Sequence, residues 1–146
     1  MLGAYGFLAN VFKDLEQHRL SVDVLASSEV SVSLTLDKKQ TAEQTEAAVE
    51  QLSKYSNVTV KKDRAILTLI TDVERSSECL ATAFRVFDTQ DIKVEMMSQG
   101  ASKVNISFVL LNDQINDAIT NLHFCFFEDK CVVDFEPSVQ ETSVQS

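Results

Sequence analysis

The side chains that could carry chemistry are few and scattered. Cys79, Cys125 and Cys131 are odd in number and show no C-x-x-C spacing, which argues against a zinc site or a disulfide framework. Cys79 falls in an expected helix and Cys125 sits between phenylalanines, so packing is the simplest role for both. His18 and His123 are the two histidines. Both are expected on helices, and no serine or cysteine is placed to be activated by either. There is no G-x-x-x-x-G-K-[ST] phosphate loop. Asp113 and Asp117 share a helix face, where a solvated acidic surface explains them better than a metal. Two glycosylation sequons, at Asn57 and Asn105, carry no meaning without secretion. Catalysis by this chain alone is therefore disfavoured.

Bulk properties narrow the class further. The chain has 146 residues, 45% of them hydrophobic and 24% charged, the balance of a folded domain or of two small ones sharing a core. A formal net charge of -9 repels phosphate backbones, which disfavours nucleic acid as a partner. No apolar run approaches the ~20 residues needed to cross a bilayer, and the first residues lack a secretory or transit signature. The expected location is a reducing, cytoplasmic interior, or a plastid if a longer precursor exists.

The remaining polar features sit among elements that the hydrophobic periods define. Gly3 and Gly6 bracket a turn that leads into a helix from Phe7 to about Arg19. Phe7, Leu8, Val11, Phe12 and Leu15 form its apolar stripe, and Asp14, Glu16, Gln17 and Arg19 most of its wet face. The period then changes to two: Val22, Val24 and Ala26 alternate, Ser27-Ser28-Glu29 makes a polar corner, and Val30, Val32, Leu34 and Leu36 alternate again. Thr41 and Gln44 have the form of a capping box opening a helix to about Lys54, with Ala47, Ala48 and Leu52 inward. Val58-Thr59-Val60 reads as a strand, and Ala65–Ile70 as a central one.

A second helix-strand-strand unit follows. Ser76 or Ser77 opens a helix that buries Leu80, Ala83, Phe84 and Phe87. Strands come at Ile92–Met97 and Val104–Leu110. A helix from about Gln114 to Phe127 turns Ile115, Ile119, Leu122 and Phe126 inward. Cys131–Phe135 is a short final strand, and the polar stretch from Glu136 reads as a flexible tail.

The halves repeat one another. Leu8, Val11, Phe12, Leu15, Leu20, Val22 and Asp23 fall on Leu80, Ala83, Phe84, Phe87, Ile92, Val94 and Glu95. After a two-residue insertion at the corner, Val30, Val32 and Leu34 fall on Val104, Ile106 and Phe108. The expected fold is α+β: two tandem ferredoxin-like βαββαβ units, each an antiparallel sheet with helices on one face, the first lacking its opening strand. Residues 1–62 form the first unit, 63–135 the second and 136–146 the tail.

Two long strings carry a family resemblance. Met1-Leu2-Gly3, Gly6-Phe7-Leu8-Ala9, Ser21-Val22-Asp23 and Ser27-Ser28-Glu29 through Asp37 resemble the first ACT domain of lysine-sensitive, monofunctional aspartate kinases. Ser98–Ser107, with Leu122-His123 and Phe126-Phe127-Glu128, resembles the second. The resemblance implies a homodimer through ACT sheets that binds L-lysine at an interface between subunits. It implies coupling to a kinase domain, absent here, that converts ATP and L-aspartate to 4-phospho-L-aspartate in lysine, threonine and methionine biosynthesis. ATP and magnesium would belong to that domain, leaving this chain without a cofactor or a metal of its own.

Carried over residue by residue, the effector site falls on Met1, Phe7 and Leu8, on Ser21, Val22 and Asp23, and on Ser27, Ser28 and Glu29. Backbone N–H groups at the helix start suit a ligand carboxylate. Asp23 or Glu29 suits an ammonium, and Phe7, Leu8 and Val22 suit an aliphatic stem or, equally, simple core packing. Four positions depart from the family. Ala4 replaces a polar residue, Thr71 a glycine, and Arg19 and Asp91 the glycines just past each first helix, so both helix ends are expected to be strained or differently capped. L-threonine and S-adenosylmethionine are the competing effectors. A non-sensing fragment that pairs with a full-length kinase is the alternative function.

Overall fold

Gly6 takes a left-handed backbone, φ 81°, and turns the chain into the first helix, α1, Phe7–Gln17; glycine reaches that conformation without a Cβ clash. The computed structural model describes residues 5–28, 31–37, 39–71, 73–100 and 105–128. After α1 come β1 (Val22–Ser27), β2 (Val32–Leu36), α2 (Ala42–Leu52) and β3 (Arg64–Ile70). A 3-10 turn, Val73–Arg75, leads into α3 (Ser76–Thr89), followed by β4 (Met96–Gln99) and β5 (Asn105–Leu111). A second such turn, Asn112–Gln114, opens α4 (Ile115–Phe127).

The strands form two antiparallel sheets, β1-β2 and β3-β5-β4. In the second, Leu67 and Leu69 of β3 and Ile106, Phe108 and Leu110 of β5 turn toward α3 and α4. They close a core with Ala83, Val86, Phe87, Ala118 and Leu122. Phe84, Phe87 and Phe108 meet edge to face with ring centroids 5.1–6.2 Å apart, the geometry that opposed ring quadrupoles favour. The core cluster of the first half is smaller, with Val11, Leu15, Leu20 and Ala48 buried and Val32, Leu34 and Leu36 half-covered. Two strands cannot shield two helices as three do. Val24 and Val109 are buried on the sheet faces turned away from the helices, where β1 lies against β4.

The duplication is visible rung by rung. Ser27, Ala26 and Leu25 pair with Val32, Ser33 and Leu34, as the repeat-equivalent Gln99, Ser98 and Met97 pair with Ile106, Ser107 and Phe108. The helix ends match too. In the first, the Leu20 N–H donates to the Leu15 carbonyl and the Arg19 N–H to that of Glu16, both at 2.9 Å. In the second, Ile92 donates to Phe87 at 2.7 Å and Asp91 to Asp88 at 3.2 Å. Both are Schellman closures. Arg19 and Asp91 sit at the left-handed position, φ 55° and 50°, the strained ends expected where glycines were replaced.

Other expectations need correction. Asp14 is not on a wet face: it is 8% exposed and accepts a 2.6 Å hydrogen bond from the Tyr55 hydroxyl. Ala47 and Ile119 face outward, and Leu8, Phe12 and Phe84 stay about 40% exposed. The capping box of Thr41 and Gln44 is present, but α3 opens from its 3-10 turn at Arg75 without a side-chain cap. Residues 92–95 precede β4 instead of belonging to it. Cys125 packs against the second core as expected, but it is disulfide-bonded where no disulfide was expected, while Cys79 is free. Val58-Thr59-Val60 joins no ladder, and β3 is an edge strand among the described residues. The last strand of a βαββαβ sheet pairs with the opening one. No described segment holds that place beside β2, so residues 58–60 have no backbone partner. The expected final strand, Cys131–Phe135, and the tail lie outside the described residues.

Candidate effector-binding site

The expected site depends on how α1 delivers the chain to β1. Leu20 anchors the turn by packing against Leu15, and the Schellman closure fixes the direction in which Ser21 leaves. The Ser21 carbonyl is then held twice, by the Asp37 N–H at 3.1 Å and the Gln40 side-chain amide at 2.9 Å. Its side chain remains exposed. Val22 packs half-buried on the first core. An open hollow of about 500 Å³ lies here, with Phe12, Glu16, Arg19 and Leu20 on one side and Ser21 and Val22 on the other.

Beyond Val22 the hairpin breaks register. Val22 pairs with Leu36, but the next rung joins Leu25 to Leu34, so Asp23 and Val24 together oppose Thr35. This bulge gives the Val24 N–H to the Thr35 hydroxyl at 2.9 Å. Bulges re-aim side chains, often beside functional sites, and here Asp23 stands exposed with no hydrogen bond or ion pair to any described residue. Its counterpart Glu95 is committed. Arg64 meets it at 2.8 Å and Lys61 at 3.1 Å, and these hydrogen bonds, Arg64's first, hold its carboxyl down at about 2. Of two equivalent carboxylates, only the first is free for a ligand.

The other expected residues lie elsewhere. Phe7 packs on the first core and meets the Tyr55 ring edge to face at 6.4 Å, which is the core role for this side chain. Leu8 is 40% exposed on the first turn of α1. Ser27 and Ser28 are exposed at the far end of β1. There Ser28 closes the corner through its N–H to the Ser31 carbonyl and its hydroxyl to that of Ser31, both 2.8 Å. Met1 and Glu29 lie outside the described residues. The structure thus gathers Ser21, Val22 and Asp23 at one end of the α1–β1 pair. Phe7 and Leu8 begin the helix roughly 15 Å away, at 1.5 Å per residue.

The sequence reading missed three residues here. Arg19 and Glu16 line the hollow, and Arg19 was legible only as a non-glycine at a helix end. Asp14 was hidden because its partner Tyr55 lies 41 residues away. Among the described residues no group of histidine, cysteine, aspartate and glutamate is arranged to hold a metal ion. No described helix is long and apolar enough to cross a membrane.

Two helices beside an antiparallel sheet, twice, is the α+β architecture of tandem ferredoxin-like domains. The ACT domain family model matches residues 72–126. Aspartokinase 3, chloroplastic, from Arabidopsis thaliana is 46% identical over 138 residues, covering 90% of this chain and 25% of that protein. The crystal structure of E. coli aspartokinase III in complex with lysine and aspartate matches with a TM-score of 0.72 and 30% identity, over 87% of this chain and 29% of that one. The ligand-free regulatory subunit of aspartate kinase from Thermus thermophilus is 21% identical with a TM-score of 0.73, over 85% and 84%, a likeness of fold alone. This chain belongs with the ACT-type regulatory regions of aspartokinases. It spans about a quarter of the length of the curated relatives it matches.

Proposed function

We propose that the first half of this chain binds L-lysine, or a related small amino acid, as the feedback effector of an aspartate kinase. In this reading, effector binding inhibits the phosphorylation of L-aspartate by a kinase domain of the same or another chain. The observation that carries it is the unpaired Asp23 on its bulge, beside Ser21, Val22 and the hollow. A carboxylate released from the sheet register and left without a cation is a ready partner for an ammonium, and the equivalent Glu95 is unavailable. Lysine enters the reading because the similar E. coli enzyme was crystallised with it. A plastid location follows the chloroplastic naming of the plant relatives.

The geometry favours a site shared between copies. Phe7 and Leu8 lie too far along α1 from Asp23 for one small ligand to touch both within a chain. Two chains packed about a twofold axis can present the helix start of one to the bulge of the other. On this reading the units divide near residue 62, where Asp63 turns with φ 58° and its carbonyl accepts the Asn112 N–H.

Calorimetry and sedimentation test it together. The dimer should bind L-lysine in preference to L-threonine and S-adenosylmethionine, and Asp23→Ala should weaken binding at least tenfold, as expected for a charge-assisted hydrogen bond. A folded dimer that binds none of the three would overturn the sensing reading. It would favour the non-sensing pairing fragment, for which the unpaired outer edge of β2 is the supporting feature.

A further inference from the structure

We infer that Arg19 is a specificity-determining residue of this hollow: its guanidinium receives the carboxylate of the effector, so that the hollow selects amino acids over the corresponding amines. The inference rests on the amino-acid-binding reading above and deepens it. Arg19 is the only cationic side chain lining the hollow. It is exposed, with no ion pair or hydrogen bond from its side chain to any described residue. Glu16, on the last turn of α1, lines the same hollow and is likewise unpaired. An unpaired cation and an unpaired anion thus line the same hollow as the apolar Phe12, Leu20 and Val22, a set of side chains that suits an amino-acid zwitterion.

Two physical points single out Arg19. The hollow lies at the C-terminal end of α1, where the partial negative charge of the helix repels an anion. A carboxylate can bind there only if a cation offsets that field. Arg19 also holds a left-handed backbone at φ 55°, a conformation that arginine adopts reluctantly. Asp91, at the same place in the second half, is of a type that visits it more readily. Strain retained at a ligand-facing position is a recognised mark of function. The closure directs the side chain of the residue at this position, and a glycine would contribute none.

The test pairs each ligand with its decarboxylated amine. Whichever of L-lysine and L-threonine the purified chain binds is compared with cadaverine or 1-aminopropan-2-ol respectively. Arg19→Asn, which keeps a residue tolerant of the left-handed conformation, should weaken the amino acid about tenfold and leave the amine unchanged. Arg19→Lys should retain most of the affinity. Near-ultraviolet circular dichroism of both variants, with Arg19→Gly as a relaxed-backbone control, reports the fold. An unchanged affinity for the amino acid in Arg19→Asn overturns the inference while leaving the sensing reading intact, and so does an equal loss for the amine. No binding of L-lysine, L-threonine or S-adenosylmethionine to the folded wild type overturns both, and binding of S-adenosylmethionine alone overturns this inference only.

Discussion

Removing one oxygen atom, Tyr55→Phe, should expose how the first half is held together. Tyr55 follows α2 and donates its hydroxyl at 2.6 Å to Asp14 on α1, while its ring packs on the first core against Phe7. Burial, the hydrogen bond to Asp14 and the charge of Asp14 together push the phenol from 10.0 to about 12. At 1.36 kcal/mol per unit, that rise amounts to about 2.7 kcal/mol between the neutral and ionised forms. Part of the residue meets solvent, which screens the charge term, and the share carried by the hydrogen bond itself is about 1–2 kcal/mol. The variant leaves a carboxylate that is 8% exposed without this donor, a loss of the same order. Urea denaturation should show a loss of about 1–2 kcal/mol, equivalent to roughly 3–6 °C in melting temperature for a chain of this size. Asp14→Asn, which keeps an acceptor and removes the buried charge, should cost less.

The pH dependence supplies a second reading of the same bond. The folded value lies above the unfolded one, so the stabilisation is fully present below pH 10 and is lost as pH rises through about 12. The stability difference between wild type and Tyr55→Phe should therefore be flat to about pH 9.5 and narrow above it. Phenolate absorbance should show a late ionisation from Tyr55 in the wild type, and that late step should be missing from the variant. Equal stabilities, with no late-ionising tyrosine, would refute the bond as the link between α1 and α2.

Arg19→Gly should stabilise the chain by about 0.5–1 kcal/mol in urea, since relief of a left-handed arginine, ~1–2 kcal/mol, exceeds the added freedom of the unfolded chain, ~0.4–1 kcal/mol. Asp91→Gly should gain less, and the Arg19 gain should come with weaker effector binding, a trade of stability for function. Glu95→Gln should remove the bonds to Arg64 and Lys61. Because the folded carboxyl is depressed to about 2, its stabilisation is present above the ordinary carboxylate value of 4.5 and is lost as pH falls through about 2. Acid titrations of wild type and variant should therefore differ near neutrality and converge below that range.

Much of the frame was legible because it rests on local period. The stripe of α1, the alternation of β2 and the Thr41 capping box depend on residues a few positions apart. The left-handed ends at Arg19 and Asp91 followed from the family resemblance, which places glycines just past each first helix. What escaped the sequence depends on long-range partners. Asp14 is polar by type and buried because of a tyrosine 41 residues on. Val58–Val60 has strand-forming residues, yet a strand exists only where another backbone completes it. The bulge at Asp23 has no signature in composition, since Val22 and Val24 alternate as an unbroken strand would.

The candidate site shows the same division, and the repeat explains it. Duplication gave both halves the same helix stripe, the same closure and three identical hairpin rungs. Function can reside only where equivalent positions differ. After the third rung Met96 pairs with Val109 and the Glu95 N–H also donates to the Val109 carbonyl, so two residues meet one in the second half as well, but there the carboxylate is spent on Arg64 and Lys61. The first half leaves Asp23 without a partner among the described residues and puts an arginine where the second half has an aspartate. Each difference adds an unpaired charge to the surface around one hollow, and an unpaired charge contributes nothing to folding that a neutral residue could not. A charge left without a partner in one copy and paired in the other is where the proposed effector would be read, and this contrast is the reason Asp23 and Arg19 are the positions to substitute first.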